Sequence, residues 1–328
     1  MSHKKVTFKN SVKWHGCSSV LRRVKAGGPQ GATIGLLEYL SQSNKSSDCV
    51  SESDRFKFLD DLSILEIINL LTIGISSFNV KHQVANDIPQ HNQYIPPENL
   101  KTQAWLNSIN EWTNNQKMKI NEKKTKCMIF NYSNNYQFTT RLTINEHPIE
   151  VIKSTRLLGT VIQDNLCWDL NTRELVKKAN ARMELLRRVS SFCKNYQDLK
   201  NIYILFVRSI LEQSATVWHS SLSEVNKNDL ERVQKSALKV ILGEQYKTYP
   251  NALKIVELET LNERRKHLCL VFAQRSKKHP KMRKMFPYTE KTHKMDTRNP
   301  EKFQVQHALK ERLKKSPIIY MQNLLNEN

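Results

Sequence analysis

The chain has 328 residues, a formal net charge of +21 and 39% hydrophobic residues, which is enough apolar material for two domains or one large one. Such a charge attracts polyanions, so nucleic acid is the first candidate partner and an anionic membrane surface the second. We expect no membrane span and no signal peptide, because the longest apolar run, residues 62–78, is too short and too polar, and no apolar run follows the basic N-terminus.

Residues 1–26 predict extended segments, because the stretch VTFKNSVKW mixes β-branched, aromatic and polar residues. The stretch AGGPQGATIG then concentrates four of the chain's eight glycines. Glycine permits unusual backbone angles and close approach of the backbone to another molecule, although a plain Gly-Pro turn would also explain the cluster. IGLLEYLSQS follows with the apolar spacing of a helix.

RFKFLDDLSIL, from Arg55 to Leu65, predicts a strand, a tight turn and then a strand or a helix, with Asp60 and Asp61 at the turn. Two adjacent carboxylates between apolar segments suit either a metal site or a solvated turn. The polar residues 79–98 contain three prolines and have little periodicity, so they predict a linker.

After the linker, the sequence predicts a helix whose apolar face consists of Leu100, Trp105, Leu106, Ile109 and Trp112. KTKCMIFNY then predicts a strand. TRLTINEHPIEVIKSTRLLGTVIQ predicts two or three more, with a hairpin turn at NEHP. Residues up to about 170 are therefore expected to mix helices and strands.

From residue 171 the pattern is helical. TRELVKKANARMELLRRVSSF and KNDLERVQKSALKVIL each have an apolar stripe and basic residues elsewhere, and DLKNIYILFVRSILEQSATVWHS between them predicts a more apolar helix. Gly243 suits a C-terminal cap, and Thr260 with Glu263 has capping-box spacing. The segment after residue 276 is basic and weakly patterned, so we expect it to be partly disordered. The stripes consist of Leu175, Ala179, Met183, Leu186 and Val189, and of Leu230, Val233, Ala237 and Ile241.

GGPQGATIGLLEYL, FKFLDD, KINEKKTKCMIF and RLLGTVIQDNLCWD resemble, in this order, four successive motifs of reverse transcriptases from non-LTR (LINE-like) retrotransposons. YILFVRSILEQSATVWHSSL, LERVQKSALKVI and YPNALKIVELETLNERRKHLCLVFAQ resemble the helical thumb and its sequel in that family. The resemblance covers residues 5–290, and it depends on order and spacing because each motif alone is short. It implies an α+β fold with a partial polymerase palm of antiparallel sheet and helices in residues 1–170, a helical thumb-like region in 171–275 and a basic tail in 276–328.

The resemblance implies an RNA-directed DNA polymerase, a nucleotidyltransferase that uses Mg²⁺ in a two-metal mechanism and acts on an RNA template and a DNA primer. In this family the aspartate pair lies at a hairpin tip, so Asp60 would be the direct metal ligand and Asp61 the supporting acid. Carboxylate oxygens are the hard ligands that Mg²⁺ takes. The residues before the pair, Phe58-Leu59, depart mildly from the family pattern. The six cysteines form no CxxC pair, and no His cluster has zinc spacing, so we expect reduced, structural thiols.

The resemblance also implies binding residues. Pro29, Gln30 and Gly31 match the motif that packs under the template base and the incoming nucleotide. Lys124 matches a lysine that assists the triphosphate leaving group, with a plain surface lysine as the alternative. Leu158 and Gly159 match the primer-grip turn, with an ordinary hairpin pair as the alternative. The basic helical faces are expected to follow the phosphate backbone of a template–primer duplex, and they carry Arg182, Arg187, Arg188, Arg232, Lys235 and Lys239.

The family has a further essential aspartate upstream of the PQG motif and fingers that hold the nucleotide, and residues 1–26 contain no acid that matches it. Since Asp60 and Asp61 alone would not hold two cations, we expect a truncated chain that does not polymerise by itself. Three alternatives stay open: the palm and thumb of a polymerase that needs its other half, a non-catalytic remnant that binds RNA or an RNA–DNA duplex, and a fragment without function. An intracellular location, nuclear or cytoplasmic, fits each of them.

Overall fold

The computed structural model describes residues 55–58, 61–64, 66, 91–131, 136–288, 302–308 and 310–327, together with four two-residue strands before residue 24. Contacts within the chain divide it into two units, Met1–Ile152 and Lys153–Asn328. Both units combine helices with small sheets, in agreement with the coarse α+β prediction.

In the first unit, the early strands form two antiparallel pairs, β1 with β4 and β2 with β3. β5 (Arg55–Phe58) and β6 (Asp61–Ile64) form an antiparallel hairpin in which Phe58 lies opposite Asp61. The predicted first strand is therefore confirmed, and the second arm is a strand rather than a helix. Asp61, predicted at the turn, is the first residue of that strand, and Leu59 and Asp60 lie outside the described residues. The early strands are β1 (Lys9–Asn10), β2 (Lys13–Trp14), β3 (Cys17–Ser18) and β4 (Arg22–Arg23).

Helix α1 (Lys101–Asn115) confirms the helix predicted from its apolar face. Ile95, Leu100, Leu142, Ile144 and Ile149 form a small core beside it. The Gln103 side chain lies between helix and sheet, because its Nε2 donates to the Thr143 carbonyl at 2.9 Å and its Oε1 accepts from the Thr143 amide at 2.9 Å. This paired contact fixes the start of α1 against β10 (Thr143–Ile144).

The predicted NEHP turn is confirmed between β10 and β11 (His147–Pro148). Its central residues Asn145 and Glu146 have φ of +49° and +66°, the left-handed pair that a tight two-residue hairpin requires. The KTKCMIFNY stretch is shorter in structure than predicted, since only β8 (Lys126–Cys127) forms there.

The strands of the described residues pair only two by two, and not all of them are antiparallel. β7 (His91–Tyr94) pairs in parallel with β9 (Tyr136–Thr139), and β8 pairs in parallel with β12 (Glu150–Val151). The expected antiparallel palm sheet is therefore not present as one continuous sheet in the described part of the first unit.

The second unit begins with the antiparallel hairpin β13 (Ser154–Leu157) and β14 (Thr160–Gln163) and continues as helices. Val161 is buried, and Ile162 packs on the helical core. The hairpin therefore belongs to the helical unit, and the division falls before the predicted boundary at residue 170. The helices are α2 (Asp169–Phe192), α3 (Tyr196–Ile202), α4 (Ser209–Leu211), α5 (Ala215–Trp218), α6 (Glu224–Leu242), α7 (Tyr249–Val256), α8 (Leu261–Ser276), α9 (Glu311–Lys314) and α10 (Pro317–Glu327).

The predicted apolar stripes of α2 and α6 are buried at all positions but Val189, which is half-buried. The predicted Gly243 cap follows α6, and the Thr260–Glu263 capping box opens α8. The helix predicted between α2 and α6 is interrupted instead: a π-helical turn, Tyr203–Arg208, joins α3 to α4, and Ser214 adopts a left-handed φ of +53° before α5. The Trp218 indole N–H donates to the Gln213 carbonyl at 2.9 Å across this break.

The described part of the predicted tail is folded. Phe286, Phe303, Met321 and Leu324 pack on α8 around Cys269 and Ala273 in a separate small core. The expectation of disorder therefore does not extend to residues 277–288, 302–308 and 310–327, because the apolar residues of α10 recur at helical spacing and cover α8. Among the helices of the described residues, none is long and apolar enough to cross a membrane.

Two adjacent leucines on α2 test the core. Leu186 is fully buried, whereas Leu185 is 39% exposed. We expect Leu186→Ala to lower the free energy of unfolding by about 2–5 kcal/mol, because it removes buried apolar contacts and leaves a cavity. Leu185→Ala makes the same chemical change at the surface and should cost under about 1 kcal/mol. Chemical denaturation followed by circular dichroism measures both, and equal losses would contradict this assignment of the core.

Candidate nucleic-acid interface

Helices α2 and α6 lie side by side and run in the same direction. Their first turns are joined by Asn226, whose Nδ2 donates to Asp169 Oδ1 at 2.7 Å. The surface groove between them is lined by residues 172–180 of α2 and 229–236 of α6, so the two helices stay adjacent as both sequences advance. Both positive helix ends therefore lie at the same end of the groove, which favours anions there.

The groove encloses about 580 Å³ and carries three cationic side chains. Arg173 and Lys177 lie one turn apart on α2, and Arg232 faces them from α6. Val176 and Val233 provide its apolar lining, and Thr172, Asn180, Asp229 and Ser236 are its other polar residues. Basic residues around polar groups form a surface that suits phosphate oxygens.

The cation on the α6 side of the groove is paired with an acid, whereas the two cations on the α2 side are not, within the described residues. Arg232 is paired with Asp229 at 2.8 Å on its own helix. Arg173 and Lys177 are exposed and form no ion pair within the described part of the chain. Thr172 is buried, and its hydroxyl has no hydrogen-bond partner among the described residues. The α2 side of the groove is therefore the side that can neutralise an added anion.

Of the six cations that the sequence assigned to a duplex surface, Arg232 alone lines this groove. Arg187 and Arg188 share Glu184, at 3.5 and 3.4 Å. Lys235 and Lys239 lie over the rings of Tyr249 and Tyr246, at 5.1 and 5.7 Å from the centroids. Arg182 is exposed on α2. Sequence reasoning missed Arg173 and Lys177, although their spacing of four residues was a usable signal of a shared helix face.

The turn of the β13–β14 hairpin contains Leu158 and Gly159, as predicted for an ordinary hairpin pair or a primer-grip turn. Their φ values are +48° and +85°, and the Leu158 side chain is 54% exposed. A left-handed conformation is unusual for leucine, and an exposed apolar side chain held there is a reason to consider a binding role. Gly159 lies against the Gln213 side chain, in the turn between α4 and α5, since a Cβ at this position would be 2.5 Å from Gln213 Nε2.

A buried hydrogen-bond network holds α6 against its neighbours. Tyr203 donates from its hydroxyl to Gln234 Oε1 at 2.6 Å, and Gln234 Nε2 donates to the Tyr249 hydroxyl and the Glu259 carbonyl, both at 2.9 Å. Tyr249 in turn donates to Glu231. Burial raises the pKa of both tyrosines, and the Glu231 carboxylate raises that of Tyr249 further. The tyrosines therefore stay protonated donors, which keeps the network intact at neutral pH.

A second polar cluster lies between α8, α10 and the turn after α5. The Arg265 side chain is fully buried, and its Nε donates to His219 Nδ1 at 3.4 Å. The Tyr320 hydroxyl lies 3.4 Å from His219 Nε2. Arg265 Nη1 and Nη2 have no hydrogen-bond partner among the described residues, and its guanidinium lies 5.8 Å from the centroid of the Trp218 ring. Burial lowers the pKa of His219 to about 4, and Arg265 and Lys227 lower it in the same direction.

The predicted catalytic residues are covered in part. Pro29, Gln30, Gly31 and Asp60 lie outside the described residues, and Asp61 is described only as the first residue of β6. Lys124 is exposed in a turn after α1, where its amide donates to Asn121 Oδ1 at 3.2 Å. These assignments stay predictions.

Within the described ranges, no group of three or more His, Cys, Asp or Glu side chains could hold a metal ion. The Mg²⁺ prediction depends on Asp60 and Asp61, and their two carboxylates are chemically suited to it. The side chains of that pair lie outside the described part of the structure, so Mg²⁺ binding stays a prediction from the sequence.

No family model matches the chain, and neither a curated protein nor a solved structure shows significant similarity to it.

The buried His219 predicts a pH dependence of stability. Its pKa is about 4 in the folded chain and about 6.5 when exposed, so the unfolded chain binds the extra proton first. We expect the wild type to lose stability relative to His219→Gln as pH falls from about 6.5 to 4, by at most about 3 kcal/mol. Denaturation of both proteins across this range measures the difference. A constant difference between them would show that His219 does not titrate in this way.

Proposed function

We propose that the second unit holds a nucleic-acid duplex along the α2–α6 groove, as the thumb-like part of a reverse-transcriptase-related protein. The observation that carries this proposal is the groove itself, with Arg173 and Lys177 exposed and unpaired in the described part, and with Arg232 opposite them. Polar side chains beside the cations can donate to phosphate oxygens, which position a duplex without reading its sequence.

Charge and shape both favour a duplex backbone as the ligand. The whole chain has a net charge of +21, which concentrates polyanions near its surface. The groove is open to solvent, and cations lie on both of its sides, an arrangement that suits the phosphates along a nucleic-acid backbone better than an enclosed small molecule. Leu158 and Gly159, which match the primer-grip turn, lie in the same unit and support a template–primer duplex in particular.

Duplex binding should depend on the two α2 cations. We expect Arg173→Gln with Lys177→Gln to weaken binding to an RNA–DNA duplex about tenfold or more, and to reduce the slope of log affinity against log salt by roughly 2, about one per lost phosphate contact. Fluorescence anisotropy across a salt series measures both quantities.

The matched control removes two positive charges elsewhere in the same unit. Lys254 on α7 and Lys266 on α8 are exposed and lie outside the groove. Lys254→Gln with Lys266→Gln should therefore leave most of the affinity intact. If both double variants bind the duplex equally well, the charges act only through the overall net charge and the groove is not the binding site.

A second candidate function is nucleotidyl transfer itself. The β5–β6 hairpin supports it, because Phe58 pairs with Asp61 and the predicted metal ligand Asp60 lies between these two residues in the sequence. Asp60 and Asp61 would hold Mg²⁺, which when bound supplies charge neutralisation at the triphosphate. Lys124 would contribute a positive charge near the leaving group.

Primer extension on an RNA template separates the two functions. If the chain polymerises, extension requires Mg²⁺ and should fall at least about 100-fold in Asp60→Ala, since removal of a charged group aimed at the reacting phosphate costs about 3 kcal/mol or more. Duplex affinity measured in the same samples should be unchanged in this variant. Absence of extension by the wild type, together with groove-dependent duplex binding, would leave duplex binding as the function.

A further inference from the structure

Residues 275–288 comprise the last two residues of α8 and the loop that leads from α8 to the small core beside α10, and together they are called the basic loop. Ser276 is buried, and its hydroxyl lies 3.9 Å from Met282 Sδ. Gln322 on α10 donates from its Nε2 to the Met285 carbonyl at 2.8 Å, and the Phe286 side chain is buried. The beginning of the loop is therefore held by Ser276, and its later part is held by Gln322 and by the buried Phe286.

The same loop carries a dense positive charge. Its sequence, RSKKHPKMRKMFPY, contains six Lys or Arg and no Asp or Glu. Five of these six side chains are exposed: Arg275, Lys278, Lys281, Arg283 and Lys284. Because contacts fix the loop backbone, these cations form a preorganised basic surface. Binding an anion therefore costs less conformational entropy than it would for an unstructured basic segment.

An aromatic platform lies at the end of this surface. Tyr288 stacks on Phe303 with ring centroids 4.6 Å apart and an interplanar angle of 26°. Phe303 is buried and held by Asn326, which accepts from the Phe303 amide at 2.8 Å and donates to its carbonyl at 3.0 Å. Tyr288 is 51% exposed. Phe303 therefore supports one face of the Tyr288 ring, and the exposed part of the ring can stack with another planar group.

We propose that Tyr288 and the basic loop 275–288 form a binding site for single-stranded nucleic acid, separate from the α2–α6 groove. A base stacks on the exposed Tyr288 ring, and the loop cations contact the adjoining phosphates. Unpaired bases offer a free face for stacking, whereas the bases of a duplex are already stacked on each other. A fixed aromatic ring beside phosphate-binding cations is the combination that single strands select.

A membrane surface is less well suited to the same residues. Stable attachment to a bilayer combines basic charge with an inserted apolar face or a lipid chain, and the exposed large apolar side chains of this loop are Met285 and Tyr288. The site does not depend on the α2–α6 groove, so the two proposals can fail independently.

The test measures binding of the full chain to labelled oligouridine and to an RNA–DNA duplex. We expect Tyr288→Ala to weaken oligouridine binding about tenfold and to leave duplex binding within twofold, because about 1–3 kcal/mol of base stacking is lost. Tyr288→Phe keeps the ring and should bind like the wild type. Tyr196→Ala is the matched control, since Tyr196 is also half-exposed, at 44%, and lies at the start of α3.

Further variants keep the test decisive. If Tyr288→Ala loses its circular dichroism signal, Tyr288→Leu replaces it, because leucine keeps apolar volume against Phe303 and removes the planar face. Arg283→Gln with Lys284→Gln changes exposed side chains only and should weaken oligouridine binding several-fold. The proposal is overturned if Tyr288→Ala or its replacement binds oligouridine as tightly as wild type, or loses oligouridine and duplex binding equally. Tyr288-dependent binding to phosphatidylserine vesicles without binding to oligouridine would overturn it in favour of a membrane surface.

Discussion

The packing of α2 against α6 is the contact on which the rest of the second unit depends. Ala179 on α2 and Ala237 on α6 are both fully buried, and small side chains allow two helices to approach closely. The Asp169–Asn226 hydrogen bond joins their first turns. Together with the other helices of the unit, this packing buries the apolar stripes of both helices, and residues 172–180 and 229–236 line the groove between them. Stability and the candidate site therefore come from the same pair of helices.

The elements around this pair are held by polar contacts as much as by apolar ones. Glu212 accepts from Arg208 Nε and Arg264 Nε, both at 3.1 Å, and so joins the broken helix to α8. Gln234 links α6 to Tyr203 and Tyr249. Such buried and partly buried networks need every member, because the loss of one partner leaves another polar group without its hydrogen bond. We expect these residues to fix the positions of helices, while the exposed cations are left to bind ligands.

Several parts of the fold could be predicted from local patterns. The stripes of α2 and α6, the Gly243 cap, the capping box and the NEHP hairpin follow from interactions within a few residues, and all are present. The interrupted helix could not be predicted from apolar spacing, which continues through the break where Ser214 is left-handed and the Trp218 indole N–H donates to the Gln213 carbonyl. The small core of the described tail residues was not predicted for a similar reason, since its few apolar residues become a core only when α8 lies beside them.

Of the cations that the sequence assigned to a basic helical surface, Arg232 lines the groove. A basic helical surface was expected from the charge pattern, yet Arg187, Arg188, Lys235 and Lys239 contact acids or aromatic rings of their own unit, and Arg173 and Lys177 line the groove. Sequence alone gives the face of a helix, whereas the partner helix decides which part of that face becomes concave. For the aspartate pair, the sequence FLDD itself suggests the chemistry, because two adjacent carboxylates suit Mg²⁺. That prediction is tested by an activity measurement.

The most direct measurement of the central claim is lysine footprinting of the chain with and without a bound RNA–DNA duplex, by acetylation and mass spectrometry. We predict that the duplex protects Lys177 in the groove and leaves Lys254 and Lys266 as reactive as in the free protein. Equal protection of all three would indicate diffuse electrostatic binding. Unchanged reactivity of Lys177 in a saturated complex would contradict the account.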